Sequence, residues 1–554
     1  MPAADQLISQ VYIKIDGRDA SEEVMNDVIR IEVDDSLNLP DLFLIHVRDP
    51  RLDLLENDTF GLGKRIEISV RDQNGPQTLM SGEVTAIEPD FNRHSGPTLL
   101  VRGYDQSHRL HREKKTRTFV QYTDSDIATR IAQESGLRGE VEATREVHEY
   151  IMQANQTNLE FLHERAARIG YRVMVEDRTL HFKPSPAASG AAPTVEWGGN
   201  LMDFRAKLNA ADQVSEVTVL GWDQRSKRQI IGRASSPQTP VSVGEGRTGG
   251  AATESAFGVG ARRVIVDQPV DTQAEADALA QAALNQSGQS FIQAEGTCFG
   301  NPKICAGATV ELKNVGHRFS GRYQITHSTH VYDGNGLVTH FTVSGYQALT
   351  LTELLRSNGG GASAGGNAAH HSVVVGLVTN NVDPEGKGRL KVKFPWLTNQ
   401  DESHWARLAT PMAGAERGMM FLPEVNDEVL VAFEQGDVNK PYVLGALWNG
   451  EDAPPKPSSE VVTGGKVNLR IIKSRSGHIV TLDDTAGAEK ISIVDKTGNN
   501  KFIIDSVRGE LTIEAQSNIT IKSTSGKVSI EGMAGVEIKA TGNVDVHGAM
   551  INLN

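Results

Sequence analysis

Histidines come close together in the sequence at two places, in one of them beside a carboxylate, and such groups could act in acid–base catalysis or bind a metal ion. Asp105 is followed by His108 and His111, and His327 is separated from His330 by two residues. An extended chain directs His327 and His330 to opposite faces, so we expect no shared metal ion there. Neither place belongs to a GxSxG, HExxH, P-loop or GxGxxG motif. The sequence therefore predicts no catalytic site, no metal site and no cofactor.

The charge and the cysteine content narrow the classes of function further. The 554 residues carry a formal net charge of −14, and because phosphate contacts need clustered Lys and Arg, we predict no nucleic-acid partner. Cys298 and Cys305 form no CxxC or Cys/His cluster, which fits folding in a reducing cytosol. Residues 1–15 contain no basic segment followed by an apolar one, so no signal peptide is expected. No apolar run approaches the about 20 residues that a membrane helix needs.

Segments rich in Gly, Ala, Ser and Pro divide the chain into regions. Three such low-complexity segments are Ser185–Pro193, Gly359–Ala369 and Glu451–Gly465. The last two have the composition of linkers. They predict three domains, which are 1–358, 370–450 and 466–554. Many short Val-, Ile- and Thr-rich runs between turn residues favour a mainly β fold.

An ordered set of short motifs occurs twice within residues 1–358. Gly63–Ile68, Ser81–Gly82 and Leu100–Tyr104 are followed, in the same order, by Gly307–Leu312, Ser320–Gly321 and Thr342–Tyr346. The order is GxxhEh, SG and hxGY both times, where h is apolar. Coincidence among common β-strand motifs is the alternative. The preserved order favours two related β-barrel subdomains in one chain.

Three helices are predicted between the two sets of motifs. The first is capped by Thr123 or Asp124 and ends at Gly136, and the second ends at Gly170. The third is Ala-rich and covers Gln273–Gln286. The apolar stripes of the first two are Ile127, Ala128, Ile131 and Ala132, and Leu159, Leu162, Ala166 and Ile169. Stripes of this period are typical of packing faces.

Five short strands are predicted in and around residues 376–450. They are Val373–Val378, Arg389–Phe394, Trp405–Ala409, Glu428–Phe433 and Tyr442–Gly445. The second of these alternates polar and apolar residues, as a half-buried strand does. Five strands in so short a segment favour a small barrel of the oligonucleotide/oligosaccharide-binding (OB) type.

Pairs of apolar residues separated by one residue recur through residues 511–554. The pairs are Leu511/Ile513, Ile519/Ile521, Val528/Ile530, Val536/Ile538, Val544/Val546 and Ile551/Leu553. Their first members are spaced 8, 9, 8, 8 and 7 residues apart, which is the signature of a β-solenoid. Ile491/Ile493 and Phe502/Ile504 indicate that the pattern begins earlier in a less regular form.

One chain with this pattern has too little core to be stable alone. Each octad, a repeat of about eight residues, offers two inward apolar side chains. Short isolated strands are only marginally stable in water. Three chains wound around one axis would bury their apolar side chains in a common core. Such an assembly leaves no unpaired strand edge at its sides and closes by threefold symmetry. The core of this predicted homotrimer consists of Leu511, Ile513, Ile519, Ile521, Val528, Ile530, Val536, Ile538, Val544 and Val546. His547 should face outward or into a turn, and a threefold His metal site on the axis is the alternative.

The segment 376–450 resembles the barrel of VgrG and phage spike proteins. The motifs that carry this resemblance are 383–389 (DPEGKGR), 394–396 (FPW), 405–407 (WAR), 423–429 (PEVNDEV), 436–437 (GD) and 441–445 (PYVLG). Asn426 stands where the family commonly has Gly, in a turn. The segment Arg102–Leu110, the first two helices and Gly170–Tyr171 resemble the phage tail-hub domain. With the octads, the resemblance covers nearly the whole chain.

The resemblance implies a mainly β fold with tail-hub β-barrel domains, small helical insertions, an OB-fold barrel and a C-terminal triple-stranded β-helix. It implies a non-enzymatic spike that joins a hexameric inner tube and baseplate proteins to a membrane-piercing needle. Two related barrels in each of three chains would make six quasi-equivalent units, matching a sixfold tube. Leu39–Phe43 and Ile87–Phe91 favour extracellular contractile injection systems over type VI secretion or a phage baseplate. Such a particle is assembled in the bacterial cytoplasm and can be released from the cell.

The last residues of the octad pattern are predicted to bind a separate tip protein of the PAAR type. These residues are Met550, Ile551, Asn552, Leu553 and Asn554. A stack of repeats normally needs a polar cap over its final layer. Ile551 and Leu553 would continue the core, while Asn552 and Asn554 would supply polar edge contacts.

Two other classes of function compete with a spike. A carbohydrate-active β-solenoid enzyme of a phage tail needs a carboxylate cluster in a groove formed by long loops, and the octad turns are short. A barrel that binds oligonucleotides or sugars needs exposed aromatic and basic residues on one face. Arg389, Lys391 and Lys393 supply a basic strand, although solvated strand faces often have this composition. A glycan array with nuclease and lysozyme assays separates these hypotheses.

Overall fold

The computed structural model describes residues 10–37, 39–72, 75–184, 192–223, 226–238, 242–343 and 373–552. They belong to two compact units, Met1–Leu447 and Trp448–Asn554. The predicted linker Gly359–Ala369 lies outside the described residues, as does most of Ser185–Pro193.

The first unit opens with strands and short helices. They are β1 (Val11–Ile15), β2 (Arg18–Asp19), α1 (Glu22–Asp27), β3 (Val28–Ser36), β4 (Leu42–Arg48), α2 (Asp53–Glu56), β5 (Arg65–Asp72), β6 (Gly75–Asn92), β7 (Gly96–Tyr104) and α3 (His108–His111). A more helical segment follows, with β8 (Lys114–Phe119), β9 (Tyr122–Thr123), α4 (Asp124–Glu134), β10 (Arg138–Val141), β11 (Val147–His148), β12 (Ile151–Thr157), α5 (Asn158–Ile169), β13 (Tyr171–Glu176) and β14 (Thr179–Pro184).

The unit continues through a second set of strands with two helices among them. They are β15 (Thr194–Glu196), β16 (Leu201–Leu208), β17 (Glu216–Asp223), β18 (Arg228–Ala234), β19 (Ser242–Val243), α6 (Gly249–Phe257), β20 (Arg262–Ile265), α7 (Gln273–Gln289), β21 (Ile292–Phe299), β22 (Thr309–Lys313), β23 (Gly321–Gln324), β24 (His327–Asp333) and β25 (Gly336–Val343).

An 11-stranded sheet joins the early and late strands of this part of the chain. Its order is β16-β21-β25-β24-β3-β4-β7-β6-β5-β1-β2. The side chains of Phe43, Ile45 and Val101 are fully buried beneath it, because alternate residues of each strand face the core. Gly103 of the hxGY motif lies across from Phe43, and a Cβ atom there would come within 2.3 Å of the phenyl ring. The motif therefore needs Gly at this position.

The three predicted helices are confirmed. Thr123 caps α4 and forms a capping box with Asp126. Gly170 ends α5 in the left-handed conformation, with φ of 70°, as expected for a C-terminal Gly. The predicted apolar stripes of α4 and α5 lie in one buried cluster, with Ile169 at its margin. The third helix, α7, runs three residues further than predicted, to Gln289.

The barrel that ends the first unit has the five predicted strands. Its elements are β26 (Val374–Asn380), β27 (Lys391–Lys393), β28 (Arg407–Leu408), β29 (Ala413–Gly414), β30 (Arg417–Gly418), β31 (Glu428–Phe433), the 3-10 turn Glu434–Gly436 and β32 (Pro441–Ala446). The five-stranded sheet has the order β27-β26-β31-β32-β28, and the hairpin β29–β30 was not predicted.

Asn426, in a turn of this barrel, has φ of 76°. This is a left-handed conformation that Gly and Asn adopt most readily, which explains why Asn can stand in place of Gly.

The second unit begins with a short helix and continues as a succession of short strands. Its elements are α8 (Ser458–Val461), β33 (Val462–Thr463), β34 (Lys466–Val467), β35 (Leu469–Lys473), β36 (Ile479–Asp483), β37 (Lys490–Val494), β38 (Lys501–Asp505) and β39 (Glu510–Glu514). Strands β35–β39 form an antiparallel meander in sequence order. Glycines with positive φ stand in its turns, at Gly477, Gly487, Gly498 and Gly509. The predicted linker 451–465 contains α8, β33 and the start of a hairpin.

Candidate functional site

The register of the meander places apolar side chains in continuous rows on one of its faces. Two cross-strand rows share this face, Arg470–Leu482–Ile491–Ile504–Leu511 and Ile472–Val480–Ile493–Phe502–Ile513. We call these ten residues the apolar face. Nine of them are apolar, and Ile493 and Leu511 are 50% and 60% exposed. A contiguous exposed apolar surface of this kind marks an interaction site.

The opposite face of the meander is mixed in composition. Its rows are Leu469–Asp483–Lys490–Asp505–Glu510, Ile471–Thr481–Ser492–Ile503–Thr512 and Lys473–Ile479–Val494–Lys501–Glu514. Lys501 Nζ lies 3.0 Å from Glu514 Oε2. Charged and hydroxyl side chains on this face are compatible with water, so the two faces differ in what they can contact.

The predicted needle core continues beyond the meander. Leu511 and Ile513 lie in β39, and the other eight predicted core residues follow it. Between 515 and 552 the described residues form no strand pairing within the chain. Their apolar side chains are exposed: Ile519, Ile521, Val528, Ile530, Val536, Ile538, Val544 and Val546. Met550, Ile551 and Asn552 of the predicted tip site are exposed too, whereas Leu553 and Asn554 lie outside the described residues.

Strand β12 and the residue before it attach the helical segment to the barrel. Met152 belongs to the buried cluster of the barrel, although it is more than 200 residues away in the chain. Its backbone N–H donates to Asn439 Oδ1 at 2.7 Å, and the Tyr150 hydroxyl donates to the Glu402 carbonyl at 2.8 Å. Burial raises the pKa of Tyr150, so this hydroxyl keeps its proton. These contacts make the barrel a continuation of the hub and not a loosely tethered module.

The residues around Asp105 do not form a catalytic relay. The Asp105 carboxylate accepts a hydrogen bond from the Ser107 hydroxyl at 2.6 Å. His108 Nδ1 lies 2.7 Å from the backbone carbonyl of Asp105, not from its carboxylate. Burial lowers the pKa of His111. The imidazoles are therefore not oriented by the carboxylate, as acid–base catalysis would require.

Asp105 instead belongs to a row of three carboxyl groups at the ends of neighbouring strands. Asp41 precedes β4, Asp105 follows β7, and Asp35 lies on β3. Burial raises the pKa of all three, that of Asp105 to about 7. The Ala306 N–H donates to Asp35 Oδ2 at 2.7 Å. Asp41 is also close enough to Asp35 and Asp105 for their negative charges to raise its pKa further.

The two histidines of β24 face opposite sides of the sheet, as predicted. His327 Nε2 lies 2.9 Å from Asp34 Oδ1, while buried His330 contacts the Thr339 hydroxyl through Nδ1 at 2.9 Å. Cys298 is buried in β21, and Cys305 lies in the loop before β22. Across the described ranges, no group of three or more His, Cys, Asp or Glu side chains could hold a metal ion.

The basic strand of the barrel is largely neutralised by its own neighbours. Arg389 contacts Asp383 through two hydrogen bonds, at 2.8 and 2.9 Å. These bonds hold the pKa of Asp383 well below its usual range. Lys391 Nζ lies 2.5 Å from Glu402 Oε1 and 5.5 Å from the centre of the Trp405 ring. This arrangement does not favour binding of a polyanion, because Arg389, Lys391 and the aromatic ring are already engaged.

Two parts of this site could not be recognised from the sequence. The docking of β12 has no local signal, because Met152 meets the barrel only in the tertiary structure. For the apolar face, the sequence pattern in 469–482 was weak, because apolar residues alternate there less regularly than in the octads.

No helix in the described part of the chain has the length and apolarity that crossing a bilayer requires.

Comparison with protein families gives two matches. Residues 5–333, more than half of the chain, match the model described as the Alg8 N-terminal domain. Residues 374–448 match the type VI secretion system/phage-baseplate injector OB domain, which agrees with the barrel of the structure.

Individual relatives agree with these matches. The type VI secretion system spike protein VgrG1a of Pseudomonas aeruginosa is 30% identical over 145 residues, 25% of this chain and 21% of its own length. The spike protein VgrG3 of Vibrio cholerae is 29% identical over 124 residues, 22% of this chain and 12% of its own length. The matched region thus spans about a fifth or less of these relatives. The lidded Francisella PdpA–VgrG complex has a similar fold, with a TM-score of 0.53, 10% identity and coverage of 92% of this chain and 81% of its own.

Proposed function

The chain belongs to the family described as the Alg8 N-terminal domain, and from this premise we propose that it is the structural spike of a contractile injection system. The injector OB domain and the VgrG spike relatives support this function. In the proposal, residues 1–358 form the hub, 370–450 the barrel and 466–554 the needle. The hub joins a hexameric inner tube to a needle that pierces a membrane mechanically.

The apolar face carries the proposal. Of the nine apolar side chains in two cross-strand rows, seven are 39–60% exposed in the single chain, while the opposite face of the same strands is partly charged. Three copies of the chain around one axis would bury this face in a common core and leave the mixed face in water. The exposed octad pairs after β39 would extend the same core along the axis.

The energies involved are sufficient for stable association. Complete burial of a large apolar side chain contributes about 1.5–3 kcal/mol, so burying the exposed half contributes about 1 kcal/mol. Seven half-exposed residues in each of three chains contribute about 20 kcal/mol in total, which is of the same order as the roughly 4–15 kcal/mol lost in each of the two association steps. The exposed octad residues contribute about as much again, so the sum exceeds this loss.

The other features of the proposed spike follow from the same arrangement. Met550 and Ile551 are exposed apolar residues and, with Asn552, would contact a tip protein of the PAAR type.

We propose no enzymatic activity, since neither the residues around Asp105 nor the barrel strand form a reactive site. The particle would be assembled in the bacterial cytoplasm and belong to the extracellular type of injection system.

Native mass spectrometry of the purified full chain tests the proposal. We expect a mass three times that of the 60.0 kDa chain, and negative-stain images of a needle joined to a wider hub. A folded 60.0 kDa monomer at micromolar concentration would overturn the proposal, because the apolar face would then have no partner.

A further inference from the structure

A charged residue directly follows each of the first four apolar pairs of the octads, and its sign alternates from one octad to the next. These residues are Glu514, Lys522, Glu531 and Lys539. Their spacings are 8, 9 and 8 residues, so the charges keep their place after the pair even where one repeat is longer. The alternation therefore belongs to one fixed position of the repeat.

The first contact of this series is present in the structure. Lys501 of β38 lies opposite Glu514 of β39, and its Nζ atom is 3.0 Å from Glu514 Oε2. Both side chains belong to the mixed face of the meander, opposite the apolar face. We call Lys501, Glu514, Lys522, Glu531 and Lys539 the charge ladder. Its signs along the chain are plus, minus, plus, minus and plus.

Strand alternation places the later members of the charge ladder on the outer side of the octads. The two apolar residues of each pair point towards the proposed core, so the residue after the pair points outward. Lys522, Glu531 and Lys539 are exposed in the single chain. Lys539 Nζ lies 2.5 Å from Glu537 Oε1, but these side chains are 80% and 72% exposed. Such a pair contributes little to stability and leaves Lys539 accessible to another carboxylate.

The other outward positions of the octads do not alternate in charge. The residues before the apolar pairs are Glu510, Asn518, Lys527, Gly535 and Asn543. The residues between the paired apolar side chains are Thr512, Thr520, Ser529, Glu537 and Asp545. Glu537 and Asp545 even carry the same sign in consecutive octads. A requirement for solubility alone would not confine the alternation to one position of the repeat.

Symmetry determines which octads stack on each other in a trimer. In a cyclic trimer, equivalent octads of the three chains lie at the same height along the axis. The strand directly above or below any octad therefore belongs to the preceding or the following octad. Residues 515–552, all of which the structure describes, form no strand pairing within the chain. The neighbouring strands must then come from the other two copies.

We propose that the charge ladder sets the axial register of the three chains in the needle. Each of its charges from Glu514 onward would contact an opposite charge in an adjacent octad of another copy. Lys522 of one copy, for example, would lie between Glu514 and Glu531 of the other two. Adjacent strands are about 4.7–4.9 Å apart, a distance that Lys and Glu side chains span. The inference rests on the trimer of the proposed function and identifies what aligns its chains.

The apolar core alone does not determine this register. Every octad presents the same kind of apolar pair, so a chain that slips by one octad still buries most of its pairs. The slip places each ladder residue beside its own equivalent and beside the residue two octads away, which carry the same sign. Single exposed ion pairs are weak, but a slip turns all the attractions between chains into repulsions together. The charge ladder thus disfavours the slipped assembly.

Co-expression of two full-length chains tests whether these contacts join different copies. The inverted chain reverses the whole ladder with the substitutions Lys501→Glu, Glu514→Lys, Lys522→Glu, Glu531→Lys and Lys539→Glu. Its ladder still alternates, so we expect it to form a homotrimer. In a mixed trimer, like charges would meet wherever an inverted chain stacks on a wild-type chain. With a mass tag on one chain, we expect native mass spectrometry to show about tenfold fewer mixed trimers than random association gives, because many weak contacts add up.

An exchange of two charges tests the ladder within a homotrimer. Lys522→Glu/Glu531→Lys keeps the composition of the chain but places like charges beside Glu514 and beside Lys539. We expect this trimer to dissociate at a protein concentration about tenfold higher than wild type. The matched control Glu510→Lys/Lys527→Glu exchanges the same two residue types at outward positions outside the ladder. This control should be at least as stable as the wild-type trimer and should mix with wild-type chains at random.

The outcomes separate this inference from the proposed function. Random mixing of inverted and wild-type chains would overturn the inference while the proposed spike stands. Equal dissociation of the exchange variant and its control would do the same, as would failure of the inverted chain to form a trimer. A monomeric wild-type chain would overturn the proposed function itself.

Discussion

Buried carboxyl groups are the most unusual single residues of the hub. Asp35, Asp41 and Asp105 lie close together at the ends of three neighbouring strands. Their partners are mainly backbone N–H groups and the Ser107 hydroxyl, and none of the three has an ion pair among the described residues. Burial without a cation disfavours the charged form, which explains why their pKa values are raised.

This environment makes the stability of the hub depend on pH. The pKa of Asp105 is about 7 in the folded chain, against an ordinary value of 3.8. The folded state therefore holds a proton that the unfolded state has lost, and stability falls as pH rises from about 4 to about 7. Asp105→Asn stays neutral throughout and can still accept from Ser107. We expect the free energy of unfolding of this variant to match wild type at pH 4 and exceed it by about 4 kcal/mol at pH 8.

Denaturant unfolding across this pH range measures the effect. Asp19→Asn, at an exposed position, serves as the control and should follow the wild-type profile. Parallel profiles of Asp105→Asn and wild type would show that Asp105 is already ionised in the fold.

The strands of the needle differ from those of the hub in what their two faces contact. In the hub sheet, alternate residues meet a core within the same chain. In the meander, alternate residues form the apolar face, which has no covering element among the described residues of the second unit. The strands alone therefore do not complete a core, and in the proposed trimer the other copies supply the missing layer.

Substitution of neighbouring residues on β39 tests which face is buried in the assembly. Ile513→Asp would place three carboxylates in the apolar core, at a cost of several kcal/mol for each unpaired charge. Thr512→Asp alters the opposite face and should leave the trimer intact. Size-exclusion chromatography with light scattering distinguishes the two. Equal loss of trimer in both variants would mean that the faces are assigned incorrectly.

Strand β12 is the element that couples the hub to the barrel. Met152→Ser removes an apolar side chain that is 2% exposed and packed in the barrel cluster. We expect it to weaken docking by about 2–4 kcal/mol and to increase release of a barrel fragment in limited proteolysis. Met80→Ser, which changes a buried Met of the hub core, should destabilise the hub without selective release of the barrel. Identical cleavage patterns would argue against the coupling role.

At the scale of the whole molecule, the two compact units have different sources of stability. The buried apolar clusters contain residues of the first unit alone. The second unit exposes most of its large apolar side chains. We infer that the hub and barrel fold as a single chain, whereas the needle is stabilised by association.

A chain that ends at Leu447 tests this division. We expect it to keep its β-type circular dichroism and a cooperative thermal transition, because its cores are complete. Trimer dissociation should occur at a concentration at least tenfold higher than for the full chain, since the apolar face is missing. Loss of the cooperative transition would show that the first unit depends on the second for folding.

Local signals in the sequence were sufficient for the helix ends and the barrel strands. Thr123 and Gly170 determine where helices begin and end, because their side-chain or backbone properties act on adjacent residues. The barrel strand Glu428–Phe433 is likewise recognised from apolar residues that alternate within a few positions. These features depend on interactions between near neighbours, so the sequence alone was enough to predict them.

Contacts between residues far apart in the chain determined the remaining features of the structure. The row of Asp35, Asp41 and Asp105 exists because β3, β4 and β7 align in one register. The β24–β3 junction joins residues about 300 positions apart, and Met152 reaches a barrel that begins more than 200 residues later. No local pattern encodes such contacts, because their free energy comes from surfaces that meet only after each strand has found its partner.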